Sequence, residues 1–253
     1  MRRVGIVTGA AGGIGRAVAW KLAETGHDIA LFDIDTKGLE VTAHGVTERS
    51  GKALVQAGSV TERPSIRQFV DHVAAEFGRI DVLVNNAGIL RAAPFLDTTE
   101  TDWHATFSIN LDGAFHFCQA VLPHMVAAKM GSVVNMASWT GKKGVPNHAA
   151  YSASKFALIG LTQVMAGEMG VHGVRVNAVC PGIIVETGMR DVAEKSFREQ
   201  GLPDAATRTR DSVPMKRPGY PAEIAETVSF LCSDAAAYIT GESINITGGL
   251  WMD

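Results

Sequence analysis

The sequence has few of the features that mark several classes of protein. Its three cysteines, Cys118, Cys180 and Cys232, stand far apart, so neither a disulfide framework nor a zinc-ligand spacing is present. The net charge is only −3, which gives no electrostatic footprint for a nucleic acid or an anionic membrane. No apolar run is long enough to cross a bilayer. We therefore expect a cytoplasmic protein with no metal, nucleic-acid or membrane partner.

Linkers, internal repeats and low-complexity tracts are also missing from the 253 residues. The opening "MRRVGIVTGAAGG" places two arginines before an apolar run, but glycines interrupt that run too early for a signal peptide. With 46% hydrophobic residues, the chain can bury a large core. We expect residues 1–253 to form a single domain.

Short apolar segments alternate with longer amphipathic ones along the chain. The apolar segments are 4–8, 29–33, 53–57, 81–85, 132–138, 174–179 and 243–247, and the helical ones lie near 14–25, 37–50, 62–77, 99–128, 150–170 and 221–232. Strands that are apolar on both faces and joined by helices indicate a parallel sheet covered on both sides. The sequence therefore predicts a doubly wound α/β (Rossmann) fold with a mostly seven-stranded parallel sheet.

A glycine-rich turn, "TGAAGGIG" (8–15), joins the first strand to a helix that is expected to begin near Ile14. Glycines at 9, 13 and 15 allow a tight turn, and the helix N-terminus offers N–H groups and a positive dipole end to a pyrophosphate. This pattern predicts a dinucleotide site. A tight strand–helix connection without a ligand is the alternative interpretation.

The second strand ends at Asp33, about twenty residues after the glycine turn, where a carboxylate can accept hydrogen bonds from the adenosine ribose. The same carboxylate would repel a 2′-phosphate. In addition, Ala11 and Gly12 stand where an NADP-binding turn would offer a basic side chain, and the nearest cation, Arg16, lies on the helix. We therefore expect NAD as the cofactor. Alternatively, Asp33 only caps the helix that starts near Asp35.

Further polar residues follow later strands at the same edge of the sheet. "NNAG" (85–88) follows the fourth strand, the fifth is expected to end at Ser138, and "YSASK" (151–155) opens the next helix. Residues i and i+4 share a helix face, so the Lys155 ammonium can lie beside the Tyr151 phenol. A phenol that acts as a base near pH 8 needs its pKa lowered by about two units, which a close ammonium together with a positive nicotinamide can supply. Each of these residue types is commonplace alone; together with the glycine turn they indicate general acid/base chemistry.

With these motifs, the chain resembles the "classical" short-chain dehydrogenase/reductase family over essentially its whole length. The resemblance rests on "TGAAGGIG", "NNAG", Asn110, Ser138, "YSASK" and the "PG" at 181–182, in that order. It implies that Tyr151 is the acid/base, that Lys155 binds the nicotinamide ribose and lowers the tyrosine pKa, and that Ser138 binds the reacting oxygen. It also implies that Asn110 distorts its helix and holds a water linked to Lys155. A homotetramer is implied as well.

The resemblance further implies a set of cofactor contacts. These are Gly9, Gly13, Ile14, Gly15, Asp33, Ser59, Val60, Asn86, Ala87, Gly88, Tyr151, Lys155, Pro181, Gly182, Ile184 and Thr187. Two of them depart from the family pattern. Ser59 stands where an acidic residue often reaches the adenine, and Thr187 falls one residue later than expected after "PG".

Substrate contacts are expected from Trp139, Thr140, His148 and Met189. A lone histidine such as His148 is also commonly structural. The polar segment 186–219, inserted after the sixth strand, is typical of a substrate lid, and with residues 89–95 it would shape the pocket.

The leading hypothesis is an NAD-dependent oxidoreductase that acts on a secondary alcohol or its ketone. The C-terminal "TGGLWMD" resembles enzymes of polyol and sugar-alcohol metabolism. The alternative is a 3-oxoacyl-thioester reductase of the acyl-carrier-protein or CoA type, although such enzymes generally use NADPH. A non-catalytic nucleotide sensor would be expected to lack one of the four catalytic residues, all of which are present.

Overall fold

Seven parallel strands form one sheet in the computed structural model, which describes residues 2–199, 201 and 204–253. The strands are β1 (Arg3–Thr8), β2 (His27–Asp33), β3 (Ala53–Ala57), β4 (Val82–Asn85), β5 (Gly131–Met136), β6 (Val174–Pro181) and β7 (Ser243–Ile246). Their spatial order is β3-β2-β1-β4-β5-β6-β7. The predicted doubly wound fold is thus confirmed, with the strand order reversing between β1 and β4.

The helices between the strands are α1 (Gly13–Glu24), α2 (Thr36–Glu48), α3 (Arg63–Phe77), α4 (Glu100–Phe107), α5 (Gly113–Ala128), α6 (Ala149–Met169), α7 (Gly188–Glu199), α8 (Ala205–Ser212) and α9 (Pro221–Cys232). Among the described residues, no helix is both long and apolar enough to span a membrane.

Two hydrophobic layers cover the sheet, because successive strand residues point to opposite faces. Helices α1, α2 and α9 pack on one face, where Val7 belongs to the core. Helices α3, α5 and α6 pack on the other, where Ile6 lies. The five inner strands are therefore apolar on both sides, which explains their uninterrupted apolar segments in the sequence.

The structure differs from the predicted elements at three places. The stretch 99–128 is not one helix, because a π-helical turn, Ser108–Asp112, separates α4 from α5. Strand β5 ends at Met136 rather than Ser138, which instead N-caps a 3₁₀ turn, Trp139–Gly141. The segment 186–219 contains two helices that were not predicted, α7 and α8, both of which are strongly polar on average.

A polar ladder crosses the buried centre of the sheet and reaches α6. Asn85 Nδ2 donates to Asn135 Oδ1 at 2.9 Å, and Asn135 Nδ2 donates to Thr162 Oγ1 at 2.8 Å. Buried polar groups need such partners, since leaving one unpaired costs about 1–3 kcal/mol. The ladder thereby fixes the position of α6 relative to β4 and β5.

Candidate active site

The glycine turn between β1 and α1 has backbone conformations and close contacts that only glycine accommodates easily. Gly9 and Gly13 have φ of +63° and +50°, and a Cβ on Gly9 would lie 2.8 Å from Ala87 Cα. A Cβ on Gly15 would lie 2.0 Å from the Gly9 carbonyl oxygen. The N-cap of α1, Gly12, makes no side-chain cap, so no side chain covers the helix N-terminus there. This cradle fits a pyrophosphate group.

Gly15→Ala should disrupt this cradle, whereas Gly12→Ala should be tolerated. The first substitution forces the methyl group into the Gly9 carbonyl, and we expect a loss of about 2–3 kcal/mol in unfolding free energy. We also expect NADH affinity to fall at least about tenfold. Gly12 is the matched control, since its φ of −167° suits any residue and nothing lies within 4 Å of its Cβ position. Urea unfolding and NADH fluorescence titration measure both effects; equal behaviour of the two variants would contradict the assignment.

The turn after β4 is tied to the glycine turn by hydrogen bonds that the sequence did not reveal. Thr8 Oγ1 accepts from the Asn86 and Ala87 N–H groups at 3.0 and 3.1 Å. Asn86 Nδ2 in turn donates to the carbonyl oxygens of Thr8 and Gly9, at 3.1 and 2.9 Å. The "NNAG" turn therefore holds the glycine turn in place.

Asp33 lies at the carboxyl end of β2, and its two carboxylate oxygens have different partners. Oδ2 accepts from Ala11 N at 3.0 Å, and Oδ1 accepts from Asp35 N at 3.0 Å. The N-cap of α2 is Asp35, which accepts from Gly38 N, so the alternative interpretation of Asp33 as that cap is wrong. Arg16 lies between the glycine turn and α2, where its Nη2 donates to the Ala11 carbonyl and its Nε donates to Thr42 Oγ1 at 3.1 Å.

Ser138, Tyr151 and Lys155 come together at the carboxyl ends of β5 and β6, and all three are buried. A hydrogen bond joins the side chains of Ser138 and Tyr151. Lys155 Nζ lies 5.7 Å from the centroid of the Tyr151 ring and donates to the Met136 carbonyl at 2.7 Å. The predicted proximity of phenol and ammonium is present.

The pKa of Tyr151 differs from the predicted direction. Burial raises the pKa of the phenol, and the hydrogen bond from Ser138 opposes this effect only in part. Burial also lowers the pKa of Lys155 to about 8. The predicted lowering, which combines the Lys155 ammonium with the positive nicotinamide, is therefore not a property of the chain's own groups, because burial is the largest effect on the pKa of the phenol.

Asn110 lies in the π-helical turn, as its expected distortion of the helix requires. Its Oδ1 accepts from Ile89 N at 2.8 Å, and its Nδ2 donates to Ile89 O at 3.0 Å and to Ser154 Oγ at 3.1 Å. A Cβ on Gly88 would lie 3.2 Å from Asn110 Oδ1 and 3.6 Å from Lys155 Nζ. The missing side chain of Gly88 thus leaves room between Asn110 and Lys155.

A cavity of about 740 Å³ runs from the glycine turn to Ser138, Tyr151 and Lys155. It is lined by most of the predicted cofactor contacts, by Ser138, and by all four predicted substrate contacts: Gly9, Gly13, Ile14, Asp33, Asn86, Ala87, Gly88, Tyr151, Lys155, Pro181, Gly182, Ile184 and Thr187, with Trp139, Thr140, His148 and Met189. Four predicted residues lie outside this lining. Gly15 and Asn110 lie behind the residues that line the cavity. The Ser59 hydroxyl forms a hydrogen bond with the Thr61 hydroxyl at 2.8 Å, and Val60 is buried next to Gly113.

The one-residue shift of Thr187 is absorbed by the backbone at Glu186, whose φ is +58°. This left-handed residue turns the chain so that Thr187 still reaches the glycine turn. A Cβ on Gly13 would lie 3.2 Å from Thr187 Cγ2. The departure from the family pattern therefore leaves Thr187 beside the cavity.

Several lining residues were not predicted individually. Arg190, Arg208 and Ser212 come from α7 and α8, and Leu250 follows β7. The predicted lid segment contains the first three, but no pattern in the sequence indicates Leu250. Within the described residues, no group of three or more His, Cys, Asp or Glu side chains could hold a metal ion.

Comparison with known proteins agrees with this geometry. The family model described as enoyl-(acyl carrier protein) reductase matches residues 9–251. D-threitol dehydrogenase of Mycolicibacterium smegmatis is 41% identical over 98% of this chain and 92% of its own length. The 3-oxoacyl-[acyl-carrier-protein] reductase FabG of Thermotoga maritima is 39% identical over 98% and 97%.

Two solved structures also superimpose well on the chain. NAD+-bound xylitol dehydrogenase has a TM-score of 0.91 and 37% identity, covering 98% of each chain. A variant of actinorhodin polyketide ketoreductase with NADPH has a TM-score of 0.93 and 33% identity, covering 98% of this chain and 97% of its own.

The fold, the glycine turn and the Ser–Tyr–Lys constellation define an oxidoreductase that uses a pyridine nucleotide. The chain belongs to the classical short-chain dehydrogenase/reductase family. Its relatives in that family include both a polyol dehydrogenase and 3-oxoacyl reductases.

Proposed function

We propose that the chain transfers a hydride between NAD(H) and a secondary alcohol or its ketone, with a polyol or sugar alcohol as the substrate class. The proposal rests on one observation: the same cavity is lined by the glycine turn and Asp33 at one end and by Ser138 and Tyr151 at the other. The similarity to D-threitol and xylitol dehydrogenases supports the substrate class.

In this proposal the nicotinamide, when bound, accepts or donates the hydride, and the protein handles the proton. Tyr151 takes the proton from the alcohol oxygen, or returns it to the ketone oxygen. Ser138 Oγ accepts hydrogen bonds from Thr140 N at 3.2 Å and Thr140 Oγ1 at 3.0 Å, so its own hydrogen is left for Tyr151 and, when substrate is bound, for the reacting oxygen. Because burial raises the pKa of Tyr151, the phenol needs positive charge nearby to work as a base. We assign that charge to the Lys155 ammonium together with the oxidised cofactor.

The remaining predicted site residues have supporting roles in this proposal. Gly9, Gly13, Gly15 and the N-terminus of α1 would hold the pyrophosphate, Asp33 the adenosine ribose, and Lys155 the nicotinamide ribose. Helices α7 and α8, within the proposed lid 186–219, would close over the substrate beside Trp139, Thr140, His148 and Met189.

A substrate panel tests this proposal. Purified protein is assayed with polyols, sugars, hydroxy acids and 3-oxoacyl thioesters, each with NAD(H) and with NADP(H). We expect the highest kcat/KM for a polyol with NAD. A clear preference for a 3-oxoacyl thioester with NADPH would replace the proposal with the second candidate, which the similarity to FabG favours.

Removing the charge of Asp33 should narrow the cofactor preference. In wild type, the carboxylate repels a 2′-phosphate, so we expect kcat/KM with NAD to exceed that with NADP about a hundredfold or more. Asp33→Asn keeps an acceptor oxygen for Ala11 N but loses the charge, and should reduce the ratio to about ten or less. Asp33→Ala should lower the ratio of kcat/KM with NAD to that with NADP as well, and should weaken the binding of both cofactors. A wild-type preference for NADP would contradict the assignment.

We also propose a homotetramer located in the cytoplasm. Helices α5 and α6 carry large apolar side chains that are exposed in the single chain, with Phe115 40%, Phe156 46% and Val164 57% exposed. Pairing of these helices across two-fold axes would bury them. Light scattering at micromolar concentration should give about four times the monomer mass of 26.8 kDa; a mass near that of one chain would refute the assembly.

A further inference from the structure

The position of Ser138 depends on the 3₁₀ turn that follows it. Thr140 donates twice to Ser138 Oγ, and Gly141 N donates to the Ser138 carbonyl at 2.9 Å. On its inner side, the turn lies directly on α6, because a Cβ on Gly141 would be 2.8 Å from the Lys155 carbonyl. Any movement of this turn would therefore move the Ser138 hydroxyl relative to Tyr151 and Lys155.

On its outer side, the turn is held by Lys142. This side chain is only 12% exposed, although its ammonium is at the surface of the fold. Nζ donates to the Ser243 carbonyl on β7 at 2.6 Å and forms an ion pair with the Asp253 carboxylate. Lys142 thus connects the Ser138 turn to β7 and to the segment after it.

Asp253 is the junction of these contacts. Its carboxylate also accepts from Trp251 Nε1 at 3.1 Å and from the side chain of Asn245. The hydrogen bond from Lys142 is the main cause of a lowered Asp253 pKa, so the group is a carboxylate at neutral pH. Trp251 is fixed in turn by Thr247, whose Oγ1 donates to the Trp251 carbonyl at 3.0 Å, and its ring lies 5.2 Å from Lys143 Nζ.

The segment that carries Asp253 also reaches the substrate end of the cavity. Leu250 lines the cavity together with Thr140, and Leu250 N donates to the Thr247 carbonyl at 3.2 Å. One short segment therefore contributes a wall residue and, three residues later, the anchor of the Ser138 turn.

We propose that Asp253 is a positioning residue, which acts through Lys142 to hold the Ser138 turn in register with Tyr151. Residues 250–253 form a clamp over that turn: Leu250 borders the substrate, Trp251 orients the carboxylate, and Asp253 holds Lys142. This inference rests on the proposed alcohol/ketone chemistry for its kinetic consequence, but the mechanical role of the clamp does not depend on that chemistry.

Asp253→Asn tests the clamp, because it removes the charge and preserves the shape. We expect kcat/KM for the best substrate to fall about five- to tenfold, less than the hundredfold that a full 1 Å misplacement can cause. NADH affinity should stay within about twofold of wild type, and the melting temperature within about 2 °C, because the ion pair is partly exposed. Asp253→Glu retains a carboxylate and should keep at least about half of wild-type kcat/KM.

Glu226→Gln is the matched control. It breaks the Lys21–Glu226 ion pair, which has a 2.6 Å contact and a 64% exposed carboxylate, close to the 59% of Asp253. This pair joins α1 to α9 outside the cavity lining, so kcat/KM should not change.

The decisive readout is non-additivity with Ser138→Ala. If Asp253 acts through Ser138, then Asp253→Asn should cause almost no further loss in the Ser138→Ala background. A full five- to tenfold loss in both backgrounds would show that Asp253 only supports the fold and would overturn the proposal, as would an Asp253→Asn variant with unchanged kcat/KM.

Hydrogen exchange gives a second test that needs no turnover. In Asp253→Asn, amides in peptides covering 138–143 should exchange at least about fivefold faster, while Glu226→Gln leaves them unchanged. Faster exchange without activity on any alcohol would retain the clamp and reject the proposed function. Unchanged exchange would reject the clamp itself.

Discussion

Tyr151→Phe is expected to lower kcat by about a thousandfold and to leave NADH affinity within about twofold of wild type. In the proposed mechanism the phenol hydroxyl exchanges a proton with the reacting oxygen, and general acid/base catalysis contributes about 10²–10⁴-fold. A thousandfold loss corresponds to about 4 kcal/mol of transition-state stabilisation. Steady-state rates and NADH fluorescence titration separate the two effects.

The pH dependence supplies the control for this variant. Wild-type alcohol oxidation should rise with pH through an ionisation below the value of about 10 for free tyrosine, and the residual activity of Tyr151→Phe should lack this ionisation. If Tyr151→Phe keeps more than about a tenth of wild-type kcat, a loss under about 1.4 kcal/mol, then Tyr151 is not the principal acid/base.

Lys155→Met is expected to abolish most activity and, at pH 7, to make the protein more stable. Lys155 is 3% exposed, and burial lowers the pKa of its ammonium from 10.5 to about 8. Below pH 8 the charged Lys155 therefore lowers the free energy of unfolding by about 3 kcal/mol, because the charge is less stable in the folded chain than in the unfolded one. Methionine has a similar length and removes that penalty, although it leaves the Met136 carbonyl without its donor. The net gain should be about 1–2 kcal/mol.

The sign of the pH effect follows from the lowered pKa of Lys155. Between pH 8 and 10.5 the folded protein has lost the Lys155 proton while the unfolded chain still binds it, so wild-type stability rises with pH. The variant lacks this rise. The stability advantage of the variant should therefore be largest below pH 8 and should reverse by about pH 10.5, where wild type becomes the more stable protein, as measured by urea unfolding at fixed protein concentration.

Lys52→Met provides the comparison for this prediction, because Lys52 is exposed ahead of β3. It should change neither activity nor the pH profile of stability. A Lys155→Met protein that is less stable than wild type at pH 7 would show that the ammonium stabilises the fold, contrary to its burial.

The elements of the fold were predictable because the signal is repeated at every strand. The five inner strands are buried on both faces, so uninterrupted apolar segments mark them, and "TGAAGGIG" marks the reversal point of the sheet. The convergence of Asp33, Ser138 and Tyr151 then follows from topology, because parallel strands end at the same edge.

The parts that were not predicted depend on tertiary contacts. The helical periodicity of 99–128 continues through the π turn, so only the family resemblance at Asn110 indicated a distortion there, and the bonds of Asn110 to Ile89 show what holds the turn. Leu250 joins the cavity only because the chain folds back after β7. The pKa of Tyr151 requires knowing how fully the phenol is buried, which spacing along a helix cannot reveal.

The polar ladder from Asn85 to Thr162 has a consequence for how such a protein can diversify. Thr162 is on the same helix as Tyr151, about three turns or roughly 16 Å farther along the axis, so the ladder anchors the catalytic helix from its sheet side. Cavity residues on α7 and α8 belong to a different part of the chain. Substitutions there can reshape the pocket without shifting the acid/base, and so one scaffold can evolve toward different alcohols while the proton-transfer geometry stays unchanged.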